Sequence, residues 1–299
     1  RMKRRSLLQL LGLAGAGPAF AQQPTPAPVT KPIPSSGEQI PVVGLGTWIT
    51  FNVGKDPQGR QQSTEVMRAF FAGGGRVIDS SPMYGSSQDV VGEGLAKLGM
   101  PKALFSADKV WTSSGGAAQV EASRKLWRVP KFDLLQVHNL VAWQEQLPML
   151  MEMKQAGRVR YVGITTSEGR RHRDFERIMR EHRLDFIQLT YNPLDREAEE
   201  RLLPLARERG IAVLANRPFR EGALLRPLER KPVPPWAAEI GCKTWAQLVL
   251  KHIVSHPAVT CAIPATTSVA HVRENLVAGS GAMPDEALRK RIVAHLEQL

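Results

Sequence analysis

The fold is decided by residues 133–164, in which the apolar stretch DLLQVH at 133–138 is followed by a helical pattern at 143–155 and by a second apolar stretch, VRYVGI, at 159–164. Each apolar stretch has the length of one buried strand, and the segment between them has the length of a crossover helix. A strand, a helix and a strand in this order are typical of a parallel βαβ unit. We therefore predict a parallel sheet covered by helices around this segment.

The same alternation continues on both sides of this unit. Eight strand–helix units follow one another, from the strand at 42–46 to the strand at 259–263 and two closing helical patterns. Before them, two short stretches flank Ser35-Ser36-Gly37 and predict a β-hairpin. Eight units in about 260 residues fit a closed barrel better than an open sheet. The predicted fold is α/β: a single (β/α)8 TIM-type barrel with an N-terminal β-hairpin, at residues 31–299.

The composition excludes several classes of protein. Among 299 residues the hydrophobic fraction is 42% and the charged fraction is 23%, which argues against a disordered chain and against several membrane spans. The two cysteines, Cys242 and Cys261, are too few for a disulfide framework or a four-cysteine zinc site. His252 and His256 stand one helical turn apart, but no nearby carboxylate completes a zinc motif. We therefore expect a globular protein without a metal site.

The N-terminal residues have the three-part layout of an export signal. Lys3, Arg4 and Arg5 precede a short apolar run that leads to the small-x-small sequence AFA at 19–21. The adjacent arginines resemble the signal of the twin-arginine route, which carries folded proteins; an ordinary secretory signal is the alternative. The apolar run is too short to span a membrane. We predict a signal peptide at 1–21, a proline-rich linker at 22–30 and a periplasmic protein without a stable membrane anchor.

Part of the formal charge of +12 lies on the predicted signal peptide. Residues 1–21 carry four positive charges and no negative ones, which leaves +8 on the rest of the chain. The basic segment at 170–173 opens a helix with interleaved acidic residues and an apolar face, which is typical of a solvated helix rather than of a nucleic-acid-binding patch. The remaining charge suits an anionic dinucleotide, and we expect no nucleic-acid partner. The sequence leaves the oligomeric state open.

Four unlike polar residues stand at or just after the ends of predicted strands. Asp79 ends the second strand and is followed by Tyr84, Lys109 ends the third strand, and His138 ends the fourth. In a TIM barrel the chemistry lies at the carboxyl ends of the strands, so these side chains should converge. An ammonium beside a phenol lowers the pKa of the phenol, and an imidazole can donate to a substrate oxygen. This set suits delivery of a proton to a carbonyl oxygen while a hydride reaches its carbon.

The segments around these residues resemble the aldo-keto reductase superfamily. The matching stretches occur in the order of that family: GLGTW at 44–48, VIDSSPMYG at 77–85, the Lys109 strand, LQVH at 135–138, QLTYNP at 188–193, and IP at 263–264 ahead of Glu274 and Asn275. The resemblance implies a barrel whose bottom is closed by the hairpin, and an NADPH- or NADH-dependent reductase of a small aldehyde or ketone. It also implies that Tyr84 donates the proton, that Lys109 and Asp79 tune Tyr84, and that His138 orients the carbonyl. The alternative is a non-catalytic or weakly active nicotinamide-binding barrel that serves as a redox-sensing partner subunit.

The cofactor residues also come from this resemblance, since no Gly-x-Gly-x-x-Gly follows a strand and a Rossmann site is excluded. Gln188 with the Thr165-Thr166 pair would hold the nicotinamide carboxamide. Asn216 stands where many members have a tyrosine that stacks on nicotinamide, and Arg217 could reach the pyrophosphate. The full predicted set is Thr47, Trp48, Thr165, Thr166, Gln188, Asn216, Arg217, Phe219, Thr266, His271, Glu274 and Asn275.

The adenosine end of the predicted site departs from the family pattern. Ala265 and Thr266 stand where the family has lysine and serine, and His271 stands where it has the arginine that binds the 2′-phosphate of NADP. A histidine is charged only in part near neutrality, although Arg273 lies close by and could substitute. The prediction is NADP as cofactor, with NAD as the alternative.

Overall fold

The structure is a computed structural model that describes residues 26–299. The predicted signal peptide at 1–21 and the first part of the predicted linker lie outside the described residues. The described strands are β1 (Thr30–Pro32), β2 (Gln39–Pro41), β3 (Leu45–Gly46), β4 (Val77–Asp79), β5 (Phe105–Val110), β6 (Phe132–Val137), β7 (Val159–Thr165), β8 (Phe186–Thr190), β9 (Ala212–Asn216) and β10 (Cys261–Ala262). The described α-helices are α1 (Pro57–Ala72), α2 (Ser87–Lys97), α3 (Gly116–Trp127), α4 (Trp143–Gln155), α5 (His172–Glu181), α6 (Leu202–Arg209), α7 (Trp245–Val254), α8 (Val269–Ala278) and α9 (Glu286–Glu297).

Strands β3 to β10 form one parallel sheet in the order of the chain. The first and last strands of this sheet also meet, because the Gly44 amide donates to the Ala262 carbonyl at 2.7 Å and the Gly46 amide donates to the Pro264 carbonyl at 3.0 Å. The Ala262 amide donates in return to the Val42 carbonyl at 2.9 Å. These bonds close the sheet on itself. The prediction of a (β/α)8 barrel is confirmed.

The predicted hairpin closes the bottom of the barrel. Strands β1 and β2 pair antiparallel, and Ile33 and Ile40 are fully buried against the interior side chains of the barrel strands. Pairing with the barrel begins before the predicted boundary at residue 31, since Pro28 bridges to Ser280 and the Val29 amide donates to the Gly279 carbonyl at 2.7 Å. The end of the predicted linker at 22–30 is therefore fixed to the barrel, because its backbone groups find partners in the segment that follows α8.

The interior of the barrel changes from apolar to polar along each strand. Successive side chains of a strand point to opposite faces, so every second residue faces the interior. On β5 the interior residues Phe105 and Ala107 are followed in the same register by Lys109, and on β6 Leu134 is followed by Gln136. The period of two therefore places the polar groups of neighbouring strands together at the carboxyl end of the barrel.

Helix α1 begins at Pro57. Asp56 caps it by accepting from the Gln58 and Gly59 amides, and Pro57 occupies the first helical position. An acidic N-cap followed by proline is a standard start signal for a helix, so this boundary was readable from the sequence.

Three observations on the described residues bear on the class of protein. No helix within 26–299 combines the length and the apolar composition that a membrane crossing requires. In the same part of the chain, no group of three or more histidine, cysteine or acidic side chains is arranged to hold a metal ion. Cys242 and Cys261 are free and buried.

Candidate active site

The four polar residues at the strand ends, Asp79, Tyr84, Lys109 and His138, form a tetrad at the mouth of the barrel. The Lys109 Nζ atom donates to Asp79 Oδ1 at 2.6 Å and to the Ser80 carbonyl at 2.8 Å. The same Nζ atom lies 5.0 Å from the centroid of the Tyr84 ring, and the Tyr84 and His138 rings meet edge to face with centroids 5.6 Å apart. The arrangement expected from the strand order is therefore present.

Lys109 is a fully buried cation that is paired with a buried carboxylate. Burial lowers the pKa of the ammonium, but the facing Asp79 carboxylate acts in the opposite direction, and the net pKa lies above the ordinary value. Lysine at this position therefore remains charged at neutral pH and presents a fixed positive charge to the Tyr84 ring.

The pKa of Tyr84 is raised, although the neighbouring ammonium led us to expect a lowered pKa. Burial of the phenol raises its pKa, the Lys109 cation lowers it, and the net pKa lies above the ordinary value. Lys109 therefore acts in the expected direction but is outweighed by burial. The phenol carries its proton at neutral pH, as a proton donor must.

His138 is a neutral donor or acceptor rather than a cation. Burial and the Lys109 charge lower its pKa to about 2. Its Nδ1 atom lies 2.7 Å from Ser81 Oγ, and the residue lines the large cavity at the mouth of the barrel. Ser81 is not among the predicted site residues. Its position in the VIDSSPMYG stretch could have indicated it.

A row of side-chain amides continues from Asp79 across the barrel. Gln188 Nε2 donates to Asp79 Oδ2 at 3.1 Å, and Gln136 Nε2 approaches the same oxygen at 3.4 Å. Asn216 Nδ2 donates to Gln188 Oε1 at 3.3 Å. Gln136 was missed as a site residue, although it faces the interior in the same register as His138. The row connects the carboxylate of the tetrad to the predicted nicotinamide end of the site.

A cavity of about 770 Å³ extends from Tyr84 and His138 over the mouth of the barrel. Eleven of the twelve predicted cofactor-binding residues line it: Thr47, Trp48, Thr165, Gln188, Asn216, Arg217, Phe219, Thr266, His271, Glu274 and Asn275. Thr166 is the exception, because its side chain is buried and its hydroxyl donates to the Arg170 carbonyl at 2.6 Å. Arg273, considered as a substitute for the missing basic group, is exposed and does not line the cavity.

Acidic residues from two loops face Arg217 across this cavity. Glu168 lies 3.2 Å from the Arg217 guanidinium, and Glu221 pairs with the same guanidinium. Trp48 Nε1 donates to Glu221 Oε1 at 3.3 Å, so the loops after β3 and β9 are joined over the site. Glu168 and Glu221 are not among the predicted site residues. Their positions shortly after barrel strands could have indicated them.

At the predicted adenosine end the cavity is lined by polar side chains and by His271. Thr266 Oγ1 accepts from the Ser268 amide at 3.0 Å and lies 3.3 Å from His271 Nδ1. Asn275 is buried and Glu274 is half-buried at the same end. This end of the cavity can bind a ligand through hydrogen bonds, and His271 is the basic residue among these side chains.

The chain is similar to known reductases in sequence and in fold. The sequence model of the Aldo/keto reductase family matches residues 42–292. Methylglyoxal reductase YeaE of Escherichia coli strain K12 is 28% identical over 255 residues, which cover 82% of this chain and 88% of that protein. The NADH-specific methylglyoxal reductase of the same strain is 27% identical over 243 residues, which cover 69% and 71% of the two chains.

A solved structure shares the fold: an aldo/keto reductase from Klebsiella pneumoniae in complex with NADP and acetate superposes with a TM-score of 0.71 at 24% identity, over 88% of this chain and 92% of that one. The match to the family model extends over most of the barrel and includes the tetrad, the amide row and the cavity. The chain belongs to the aldo/keto reductase family of nicotinamide-dependent oxidoreductases.

Proposed function

We propose that this protein reduces the carbonyl group of a small aldehyde or ketone with NADP(H), and that Tyr84 supplies the proton. The observation that carries the proposal is the assembly of Tyr84, Lys109, Asp79 and His138 beside a cavity that contains nearly all the predicted cofactor-binding residues. Two relatives named as methylglyoxal reductases support a small aldehyde as the substrate.

The donor set of the cavity fits a nicotinamide dinucleotide. The amides of Gln188 and Asn216 stand beside the tetrad and can pair with a carboxamide. Arg217 can donate hydrogen bonds to a pyrophosphate in exchange for those that it makes with Glu168 and Glu221. Thr266 and Asn275 can hold the adenosine end. When bound, the cofactor supplies the hydride that reaches the carbonyl carbon. The NADP-bound relative favours NADP, and the NADH-specific relative keeps NAD as the alternative.

The protein side chains have separate tasks in the proton transfer. Tyr84 donates its proton to the carbonyl oxygen and becomes a phenolate. The Lys109 cation stabilises the negative charge that develops on the phenol oxygen, and Asp79 holds Lys109 in place. The neutral His138 ring can donate a hydrogen bond to the same carbonyl oxygen and so orient it towards Tyr84.

The test is Tyr84→Phe, which removes the phenol oxygen and keeps the ring. We expect turnover of methylglyoxal with NADPH to fall by about 10² or more, because the proton donor is lost. The dissociation constant for NADPH, measured by fluorescence titration, should stay within about twofold. The matched control is Tyr161→Phe, which also removes a hydrogen-bonded phenol oxygen, but one that contacts Ser36 and Glu38 at the bottom of the barrel. This control should keep wild-type turnover. Wild-type turnover in Tyr84→Phe would contradict the proposed mechanism.

We also propose that residues 1–21 are a signal peptide that directs the folded protein to the periplasm by the twin-arginine route. The order of basic, apolar and small residues supports this. Cleavage after Ala21 would fall before Pro28, where pairing with the barrel begins in the described part of the chain. Fractionation and N-terminal sequencing of the expressed chain should find Gln22 as the first residue of a periplasmic form. An unprocessed chain in the cytoplasm would contradict the proposal.

A further inference from the structure

We propose that Ser81 is a positioning residue that fixes His138 in the tautomer with its proton on Nε2, so that this N–H can donate to the substrate oxygen. The catalytic meaning of the inference rests on the proposed function. The tautomer itself is a property of the protein and can be measured without substrate or cofactor.

The direction of the Ser81–His138 hydrogen bond follows from counting protons. Ser81 Oγ accepts from the Met83 amide at 3.1 Å and lies 2.7 Å from His138 Nδ1. A backbone N–H can only donate, and a serine hydroxyl has one proton of its own. Among residues 26–299 the Ser81 hydroxyl has no other acceptor within hydrogen-bonding distance than His138 Nδ1. The hydroxyl therefore donates and Nδ1 accepts.

The opposite tautomer would leave a buried polar group unsatisfied. Ser81 is fully buried, and His138 is only 5% exposed. If Nδ1 carried the proton, both the ring and the Met83 amide would donate to Ser81 Oγ, and the hydroxyl proton would be buried without an acceptor. Buried polar groups in native proteins nearly always have a partner, so this arrangement is disfavoured.

The proton of the neutral ring is then on Nε2, the nitrogen that the cavity can reach. His138 lines the cavity, and Nε2 forms no hydrogen bond with any residue that the structure describes. The ring remains neutral at physiological pH because burial and the nearby Lys109 charge disfavour the cation. A neutral imidazole has one donor and one acceptor nitrogen, so fixing Nδ1 as the acceptor fixes Nε2 as the donor.

Ser81 also holds the turn that carries the proton donor. The Tyr84 amide donates to the Ser81 carbonyl at 3.0 Å. One residue therefore supports both groups that would contact the carbonyl oxygen, with its backbone towards Tyr84 and its hydroxyl towards His138. The two supported rings meet edge to face.

The experiment compares wild type, Ser81→Ala and Ser81→Thr in the full chain. Long-range ¹H–¹⁵N spectra of ¹⁵N-histidine-labelled protein separate the two nitrogens of a neutral ring, and a His138→Asn spectrum assigns the signals. We expect a single Nε2–H tautomer in the wild type and in Ser81→Thr, which keeps the hydroxyl. In Ser81→Ala the two ring shifts should move towards each other as both tautomers become populated.

The kinetic readout uses the same variants with methylglyoxal and NADPH. In Ser81→Ala we expect kcat/KM to fall on the order of tenfold, less than the loss of an entire oxyanion donor, while the dissociation constant for NADPH is retained. The matched control is Ser63→Ala, another buried serine, whose hydroxyl donates to the Gly59 carbonyl within α1. This variant should keep wild-type kinetics and His138 shifts.

Three results would overturn the inference. They are an Nδ1–H tautomer in the wild type, unchanged His138 shifts in Ser81→Ala, and a lost tautomer without any fall in kcat/KM. The first needs no variant to fold. Failure of the proposed function is distinguishable, because it would appear as wild-type turnover in Tyr84→Phe and would leave the wild-type tautomer as it is.

Discussion

At the scale of single residues, burial changes each active-site group in a way that depends on what faces it. Lys109 is fully buried and stays charged because Asp79 lies 2.6 Å from its ammonium. His138 is similarly buried but stays neutral, because burial lowers its pKa and the Lys109 cation lowers it further. Tyr84 keeps its proton because burial outweighs that same cation. The Lys109 cation therefore lowers the pKa of both Tyr84 and His138, while burial makes the larger contribution to each.

Replacing Lys109 by methionine tests its effect on Tyr84. The cation lowers the pKa of the phenol, so its removal should raise that pKa further, and Tyr84 should ionise at higher pH than in the wild type. Ultraviolet difference titration, with Tyr84→Phe as the blank, measures this ionisation. Turnover should fall at the same time, because a phenolate without a nearby cation is harder to form.

A double variant controls for the carboxylate that Lys109→Met leaves without its partner. The Asp79 charge raises the pKa of Tyr84, so Lys109→Met with Asp79→Asn should ionise at lower pH than Lys109→Met alone. If Tyr84 titrates in Lys109→Met as it does in the wild type, Lys109 does not tune it.

At the scale of elements, the sequence predicts those features that depend on the order of residues within one strand. The period of two along β4, β5 and β6 places Asp79, Lys109 and His138 at one end of the barrel, and this could be derived without a structure. The loops could not be derived, because their contacts join distant positions: Trp48 and Glu221 are 173 residues apart in the chain. The sequence also does not show that the Thr166 hydroxyl bonds to a carbonyl four residues later, or that this residue does not line the cavity.

Lys31 attaches the hairpin at the bottom of the barrel to the segment around the end of α7. Lys31 Nζ donates to the carbonyls of Val254 at 2.7 Å, His256 at 2.9 Å and Val259 at 2.6 Å, which lie at the end of α7 and in the loop that follows it. An ammonium at the C-terminus of a helix satisfies carbonyls that have no partner within the helix. This contact joins the hairpin to the last strand–helix unit.

Lys31→Met should therefore destabilise the protein without changing its chemistry. We expect the free energy of unfolding in urea to fall by about 2–3 kcal/mol, because three carbonyls lose a charged donor. The control is Lys102→Met at an exposed position, which should have little effect. Equal stabilities for the two variants would contradict this role of Lys31. In the folded variant kcat/KM should match the wild type, since the tetrad lies at the opposite end of the barrel.

At the scale of the whole molecule, the two ends of the barrel differ: one end is packed with apolar side chains, and the other carries the polar residues of the site. The bottom is filled by apolar side chains such as Ile33, Phe105 and Tyr161, and the top contains the tetrad and the amide row. The barrel closes between β3 and β10, the shortest strands of the sheet. We call this junction the seam. The predicted cofactor residues Thr47 and Thr266 follow the two sides of this seam. Closing the barrel therefore also brings the two halves of the proposed cofactor site together.

Gly46→Ala tests this coupling between closure and binding. A Cβ atom at Gly46 would lie 2.6 Å from the Ile263 carbonyl oxygen, which is backbone across the seam and cannot rotate away. The seam must widen, so we expect the free energy of unfolding to fall by about 1–3 kcal/mol and the dissociation constant for NADPH to rise. The control is Gly44→Ala, where the added atom would meet its neighbours at 3.0–3.2 Å and the residue does not line the cavity. That variant should lose less stability and bind NADPH as the wild type does. Urea unfolding and fluorescence titration measure the two quantities; a Gly46→Ala protein that is less stable but binds NADPH with wild-type affinity would show that closure and cofactor binding are independent.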